Sequence, residues 1–242
     1  MIELNDFSIG FERRELLVNA NARINDGELT ALLGRNGAGK STMLRAIAGL
    51  NRSYTGTVRL NGLDIREMSP SQLSRNIAFV STQRTRIPNM RCRDVVAMGR
   101  APYTNWIGNL SADDNAIVEQ SLLSVGMAGY ADRTLDKMSD GECQRIMIAR
   151  ALAQSTPILV LDEPTSFLDL PNRYELCRLL AQLAHGQGKC VLFSTHELDI
   201  ALALCDSISL IDTPHLQCLP TPIMKESGII DRLFSINGPI YQ

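Results

Sequence analysis

Gly34-Arg35-Asn36-Gly37-Ala38-Gly39-Lys40-Ser41-Thr42 decides the fold of this chain. Its spacing is G-x-x-x-x-G-K-[S/T], that of a glycine-rich loop that wraps phosphates. The run before it, Leu29-Thr30-Ala31-Leu32-Leu33, is short and apolar, as a buried parallel strand requires. A strand therefore delivers the chain to the loop, and a helix beginning near Lys40 carries it away. The glycines allow a sharp turn with several N–H groups aimed inward, and the positive end of the helix adds to the same spot. Lys40 would neutralise the β and γ phosphates of a nucleoside triphosphate, and the Ser41 hydroxyl would enter the Mg²⁺ shell. The loop alone leaves kinases, GTPases, recombinases and transport motors open, because all of them carry one.

Working outward, 242 residues with 45% hydrophobic side chains suffice for one large domain or two small ones with a packed core. The net charge of −2 comes from 24 basic and 26 acidic side chains, well mixed and without a basic cluster, which speaks against nucleic-acid binding. No apolar run approaches the roughly 18 to 20 residues needed to cross a bilayer, and Met1-Ile2-Glu3-Leu4-Asn5-Asp6 lacks the build of a signal peptide. A cytoplasmic protein is expected. Cys92, Cys143, Cys177, Cys190, Cys205 and Cys218 stand singly, with no C-x-x-C pair, and read as reduced, mostly buried small hydrophobes rather than a zinc site.

Residues 2–9 and 16–24 have the short apolar patterning of strands, and residues 57–61 followed by Gly62 read as another strand and turn. A helix is expected over 41–50. Ser69-Pro70-Ser71-Gln72 is a helix start with its cap, and residues 77–81 form a buried strand candidate. From there the pattern turns helical: 93–100, a segment capped by Ser111 and running to about Val125, then 142–154. Beyond it, apolar strands at 158–162, 190–194 and 207–211 alternate with helices over 171–184 and from Glu197. Alternation of this kind predicts a parallel sheet covered on both faces. The expected fold is thus an α/β core that carries the phosphate loop, with an N-terminal antiparallel β part and an inserted all-α subdomain. The subdomain spans about 85–156 and the core comprises 1–84 and 157–242 of a single domain. The tail after Pro220 is the least legible part.

Several chemical elements fall at the ends of these strands. Ile158-Leu159-Val160-Leu161-Asp162-Glu163 is an apolar strand ending in an acidic pair, which places Asp162 beside the phosphate loop to hold Mg²⁺ through water. Glu163 then faces the γ-phosphate, where a carboxylate can act as general base on the attacking water. Alone, such a pair also reads as a solvated helix cap. Gln83 ends a strand and opens a loop from which its amide can reach the Mg²⁺ and the water. His196, in Ser194-Thr195-His196-Glu197, likewise ends a strand; a single histidine is otherwise more often a structural hydrogen-bonder. In Met138-Ser139-Asp140-Gly141-Glu142-Cys143-Gln144-Arg145, a hydroxyl, free N–H groups and a helix dipole converge on one place. This second anion site lies too far along the fold to share a phosphate with the loop of its own subunit, so it is expected to cover the nucleotide of a partner. Ser139 and Glu142 also form a capping box, and the two readings are compatible.

Taken in order, Gly34 to Thr42, Gln83, Ser139 to Arg145, Ile158 to Glu163, Ser166-Phe167-Leu168-Asp169 and His196 resemble the nucleotide-binding subunit of an ATP-binding cassette (ABC) transporter, over nearly the whole chain. The resemblance implies a RecA-like P-loop NTPase fold, a bound ATP with Mg²⁺, and hydrolysis. It implies that Phe11 stacks on adenine in place of the frequent Tyr, that Asp169 communicates across a dimer, and that His196 contacts the γ-phosphate. Nucleotide contacts are implied for Phe11, Gly34, Arg35, Asn36, Gly37, Ala38, Gly39, Lys40, Ser41, Thr42, Ser139, Gly141 and Glu142. Metal contacts are implied for Ser41, Gln83 and Asp162, and catalytic roles for Glu163, His196 and Gln83. The family signature usually reads Leu-Ser-Gly-Gly-Gln or Glu, so Met138 is a mild change while Asp140 puts a carboxylate near a polyanion.

Val95 to Tyr103, Leu110 to Asp114 and Leu168 to Arg173 are similar to the ATPases that power importers of iron-siderophores, haem and cobalamin. That similarity implies a homodimer under two integral membrane permease subunits, on the cytoplasmic face of the inner membrane, with a substrate-binding protein outside. Competing readings are an ABC ATPase for another imported or exported cargo, and a soluble ABC ATPase acting on DNA or ribosomes. The second generally needs a long coiled-coil insertion or two cassettes, for which 242 residues leave no room.

Overall fold

Alternating burial along some strands and unbroken burial along others build two different sheets. The structure is a computed structural model and describes residues 1–11, 14–82, 88–105, 108–166 and 168–234. β1 (Ile2–Phe11) and β2 (Arg14–Ile24) alternate buried and exposed side chains and pair antiparallel, Ile2 opposite Ile24. β3 (Leu29–Gly34) is buried at every position and leads through the phosphate loop into α1 (Lys40–Ile47). β4 (Tyr54–Leu60) pairs antiparallel with β1, and β5 (Leu63–Asp64) closes a hairpin on β4. β4 begins before the run expected from the sequence, because the Tyr54 ring packs 5.3 Å from that of Phe7 with the Arg66 guanidinium 4.4 Å above it.

After α2 (Pro70–Asn76), which the Ser69 and Gln72 capping box starts as expected, β6 (Ile77–Val80) enters the second sheet. The helical stretch follows: α3 (Cys92–Ala97), α4 (Ala112–Ser124) and α5 (Asp140–Ala153). Then come β7 (Ile158–Leu161), α6 (Leu170–Gln187), β8 (Cys190–Ser194), α7 (Leu198–Leu204), β9 (Ser207–Asp212), β10 (His215–Pro220), α8 (Thr221–Glu226) and α9 (Ile229–Phe234). Among the described residues the second sheet runs β10-β9-β3-β8-β7-β6. Its inner pairs are parallel, with Leu29 opposite Val191 and Leu161 opposite Phe193. The right-handed βαβ rule then leaves helices on both faces, and the ends of β3, β7 and β8 that follow Gly34, Leu161 and Ser194 open on one edge.

Three expectations change. The sheet is not wholly parallel, since β10 returns antiparallel along β9 and occupies one edge. The helix expected over 93–100 stops at Ala97, and Met98–Tyr103 winds as a tighter 3₁₀ turn that contains Pro102. The described part of the tail after Pro220, up to Phe234, forms two short helices whose Met224 and Ile230 are buried. Five of the six cysteines are buried, and burial pushes the thiols of Cys177 and Cys190 up to about 12. No described helix is long and apolar enough to cross a membrane.

The 3₁₀ turn explains how the helical block is fastened. It turns Arg100 inward, where Nε donates to Asp114 Oδ1 at 2.8 Å and Nη1 to the Ala153 carbonyl at 2.8 Å. Arg75 at the end of α2 donates to the Pro102 carbonyl at 2.9 Å, and Gln154 Nε2 reaches the Ser74 carbonyl at 2.6 Å. The Ser111 hydroxyl, the Ser111 backbone N–H and the Arg100 guanidinium together hold the Asp114 carboxyl down at about 2. An unfolded aspartate titrates at about 3.9, so the folded state favours the carboxylate. The stabilisation is complete above about pH 4 and is lost as pH falls through about 2. Denaturation of the wild type and of Asp114→Asn should therefore differ at neutral pH, the variant being weaker, and the difference should close as acid protonates Asp114.

Candidate functional site

The loop between β3 and α1 takes its shape from Gly39, whose φ of 102° lies in the left-handed region. A Cβ there would also sit 3.1 Å from that of Leu16, so the position demands glycine twice over. Lys40 follows and is 5% exposed, with Nζ donating to the Gly34 carbonyl at 2.9 Å and to the Arg35 carbonyl at 3.5 Å. The ammonium faces Glu163 Oε1 at 3.8 Å. A buried cation is thus held at the loop's centre by neutral carbonyls and one carboxylate.

The carboxylates come from the end of β7, held to its neighbours by serines. Asp162 is buried, and its Oδ1 accepts from Ser41 Oγ at 2.9 Å and from Ser194 Oγ at 2.8 Å. The same Ser194 oxygen accepts from the Glu163 N–H at 2.8 Å. Thr82 Oγ1 donates to the Asp162 carbonyl at 2.9 Å, and Ser166 Oγ lies 3.1 Å from Glu163 Oε2. Glu163 itself has a φ of 46°, unusual for a residue with a side chain. The surrounding bonds hold it there, and the conformation aims its carboxylate back at Lys40. Ser194 is thus a second organiser of the site. As a small polar residue ending an apolar strand, it offered only a weak signal in the sequence.

Between these elements lies a cleft of about 300 Å³, lined by Phe11, Arg14, Leu16, Asn36, Gly37, Gly39, Lys40, Ser41, Thr42 and Glu163. Phe11 stands at its edge and is 58% exposed. Arg14, which sequence reasoning passed over, donates to the Gly37 carbonyl at 3.3 Å. Arg35 and Ala38 line a neighbouring cavity of about 400 Å³ with Asp212, so not every loop residue faces the cleft. Gln83 lies outside the described residues. His196 is exposed just beyond the end of β8. Ser139, Gly141 and Glu142 do not line the cleft of their own chain. They start α5, where Ser139 Oγ accepts from the Glu142 N–H at 3.3 Å and Glu142 Oε2 accepts from the Ser139 N–H at 2.8 Å. These Ser139 donors hold the Glu142 carboxyl below its ordinary range. Asp140 is the first residue of the helix, where a carboxylate suits the dipole.

Residues 17–166 match the family described as ABC transporter. The chain is 36% identical over 200 residues to the iron(3+)-hydroxamate import ATP-binding protein of Bacillus subtilis, covering 83% of this chain and 74% of that one. Its fold matches a chain of a metal-chelate type ABC transporter in an inward-facing conformation, with a TM-score of 0.85 and 27% identity over 96% of this chain and 88% of that one. It also matches a dimeric ATP-binding cassette in a post-hydrolysis state with ADP and phosphate, with a TM-score of 0.79 and 25% identity over 91% and 99% of the two chains.

Proposed function

Since the chain belongs to the ABC transporter family, we propose that it is the ATP-hydrolysing subunit of an importer that takes up a metal chelate, such as an iron-siderophore, haem or cobalamin, through a separate permease. The observation that carries the reading is the convergence at one cleft of the buried Lys40, 3.8 Å from Glu163, and the Ser41 hydroxyl, 2.9 Å from Asp162. A triphosphate brings four negative charges to such a cleft. Lys40 then exchanges Glu163 for the β and γ oxygens, and the released carboxylate is left beside the terminal phosphate. There it takes a proton from the attacking water as the water oxygen bonds to phosphorus and the ADP oxygen departs. Phe11 offers its ring to the adenine, and His196 contacts the γ-phosphate from the end of β8.

The residues present fit Mg²⁺. Ser41 and Asp162 are hard oxygen donors within 2.9 Å of each other, and Mg²⁺ prefers one or two such protein ligands with phosphate and water for the rest. Among the described residues no cluster of three or more His, Cys, Asp or Glu side chains forms a closed metal cage. When bound, Mg²⁺ would be held by Ser41 and Asp162, with Gln83 as a further proposed ligand, and would supply positive charge that offsets the phosphates.

Two copies face one another, with Ser139 and Gly141 of each covering the triphosphate held by the other. The helical block over about 85–156 passes the presence of the γ-phosphate to two permease subunits on the cytoplasmic face of the inner membrane. An extracytoplasmic binding protein delivers the cargo. Co-expression with a permease of a metal-chelate importer from the same genome should yield a complex that, in vesicles loaded with ATP, accumulates a ferric hydroxamate presented with its binding protein. Failure of any permease to co-purify would remove the transport role while leaving the ATPase intact.

A further inference from the structure

A second cluster lies behind the cleft, at the start of α6. Asp169 caps this helix by accepting from the Asn172 N–H at 3.1 Å, and the preceding residues 163–166 and 168 lead in from Glu163. One turn in, Arg173 Nε donates to the Leu168 carbonyl at 2.7 Å while Nη1 meets Glu197 Oε1 at 3.0 Å. Glu197 Oε1 also faces Thr165 Oγ1 at 3.4 Å, and the Glu197 N–H donates to Thr195 Oγ1 at 3.0 Å. The Glu197 side chain is 11% exposed and directly follows His196. The planar guanidinium thus grips two separate loops at once in a fixed fork, which an ammonium cannot do.

The same two turns of α6 reach the signature helix. A Cβ on Gly141 would lie 2.8 Å from Leu168 Cδ2, so the Leu168 side chain packs against the bare backbone of Gly141. Two residues beyond Arg173, Glu175 Oε2 accepts from Arg145 Nη2 of α5 at 2.5 Å. One end of α6 therefore touches the start of α5, which covers the partner's nucleotide in the reading above, the Leu168–Asp169 loop, and the segment of His196, which contacts the γ-phosphate.

We infer that Arg173 is a positioning residue for hydrolysis, which locks the His196 segment and the Leu168–Asp169 loop to α6 so that movement of the signature helix reaches His196 within the same subunit. The inference rests on His196 contacting the γ-phosphate. A displaced contact near the reacting phosphate costs rate rather than nucleotide affinity, because ATP is held chiefly by the loop before α1.

Steady-state ATPase kinetics of Arg173→Ala, Arg173→Lys, Glu197→Gln and His196→Ala test it. Arg173→Ala should lower kcat by about ten- to a hundredfold, with KM for ATP within about twofold of wild type. Arg173→Lys should not restore kcat, and Glu197→Gln, which keeps shape and loses charge, should reproduce the loss. In the His196→Ala background, Arg173→Ala should cost little more, because both act on one contact. If Arg173→Ala fails to fold, Glu197→Gln alone and combined with His196→Ala decides the question. Unchanged kcat in the Arg173 and Glu197 variants, rescue by lysine, or additive losses with His196→Ala would overturn the inference. Full turnover in His196→Ala would instead overturn the role of His196, and this inference with it.

Discussion

Glu163→Gln should lower ATP turnover by about 10²- to 10⁴-fold, roughly 3 to 5 kcal/mol of transition-state stabilisation, while ATP still binds. The substitution keeps the shape of the side chain and leaves the backbone N–H that donates to Ser194 at 2.8 Å untouched, so the φ of 46° and the geometry of Asp162 persist. What disappears is, among the described residues that line the cleft, the one carboxylate, which faces Lys40 at 3.8 Å and can accept the proton of an attacking water. Removing its charge also relieves repulsion of the incoming γ-phosphate, so ATP affinity should hold or rise. Phosphate release and nucleotide titration measured on the same preparation separate the two effects. If the nucleotide is shared between two subunits, ATP should also shift this variant to a dimer in size-exclusion chromatography, since the bound ATP is not consumed. Turnover equal to wild type would remove Glu163 as the general base and leave the binding site standing.

Lys40→Ala should have the opposite signature, loss of binding. The Lys40 ammonium is nearly fully buried and is the positive charge around which the loop carbonyls of Gly34 and Arg35 are arranged. Each phosphate contact it forms is a charge-assisted hydrogen bond of about 1.5 to 3 kcal/mol, so affinity should fall about ten- to a hundredfold for each one lost. The nucleotide-free protein should weaken too. The buried Gly34 carbonyl loses its charged donor, and Glu163 loses its cation. Thermal unfolding with and without ATP reads both, because a ligand that binds only the native state raises the midpoint. The wild type and Glu163→Gln should show that rise and Lys40→Ala should not. A Lys40→Ala protein stabilised by ATP as strongly as wild type would contradict the placing of the triphosphate in this loop.

Legibility differed between the parts of this site for physical reasons. The phosphate loop could be read because its requirements are local: glycine where φ is positive, a lysine and a hydroxyl at set distances along nine residues, and an apolar strand before them. The acidic pair was legible only in company, since by itself it also reads as a solvated helix cap, and it is the phosphate loop earlier in the chain that gives two carboxylates at a strand end a cation and phosphates to serve. Ser194 was not. Nothing near it in the chain shows that its hydroxyl joins Asp162 and the Glu163 N–H, because the contact crosses 32 residues and exists only once β7 and β8 lie side by side. Arg173 was hidden likewise, reading as an ordinary basic residue on a helix until the end of β8 delivered Glu197 to it.

The backbone shows the same division. Continuous apolar runs were sufficient for the strands of the core, but their order in the sheet and the antiparallel return of β10 depend on which edges remain to be covered, a property of the assembled sheet. The expected helix over 93–100 had adequate propensity. It yielded to a 3₁₀ turn because the buried pairing of Arg100 with Asp114 outweighs a few tenths of a kcal/mol of helix preference. By itself, then, the sequence determined the α/β core and the phosphate-loop motif at the end of its first buried strand, because those demands are met by neighbours along the chain. Only the tertiary structure decided how Ser41 and Asp162, 121 residues apart, come to share a hydrogen bond, how Glu163 is bent toward Lys40, and how one arginine ties two loops to α6. Those are contacts between segments, and strand order and packing, rather than local spacing, bring them within reach.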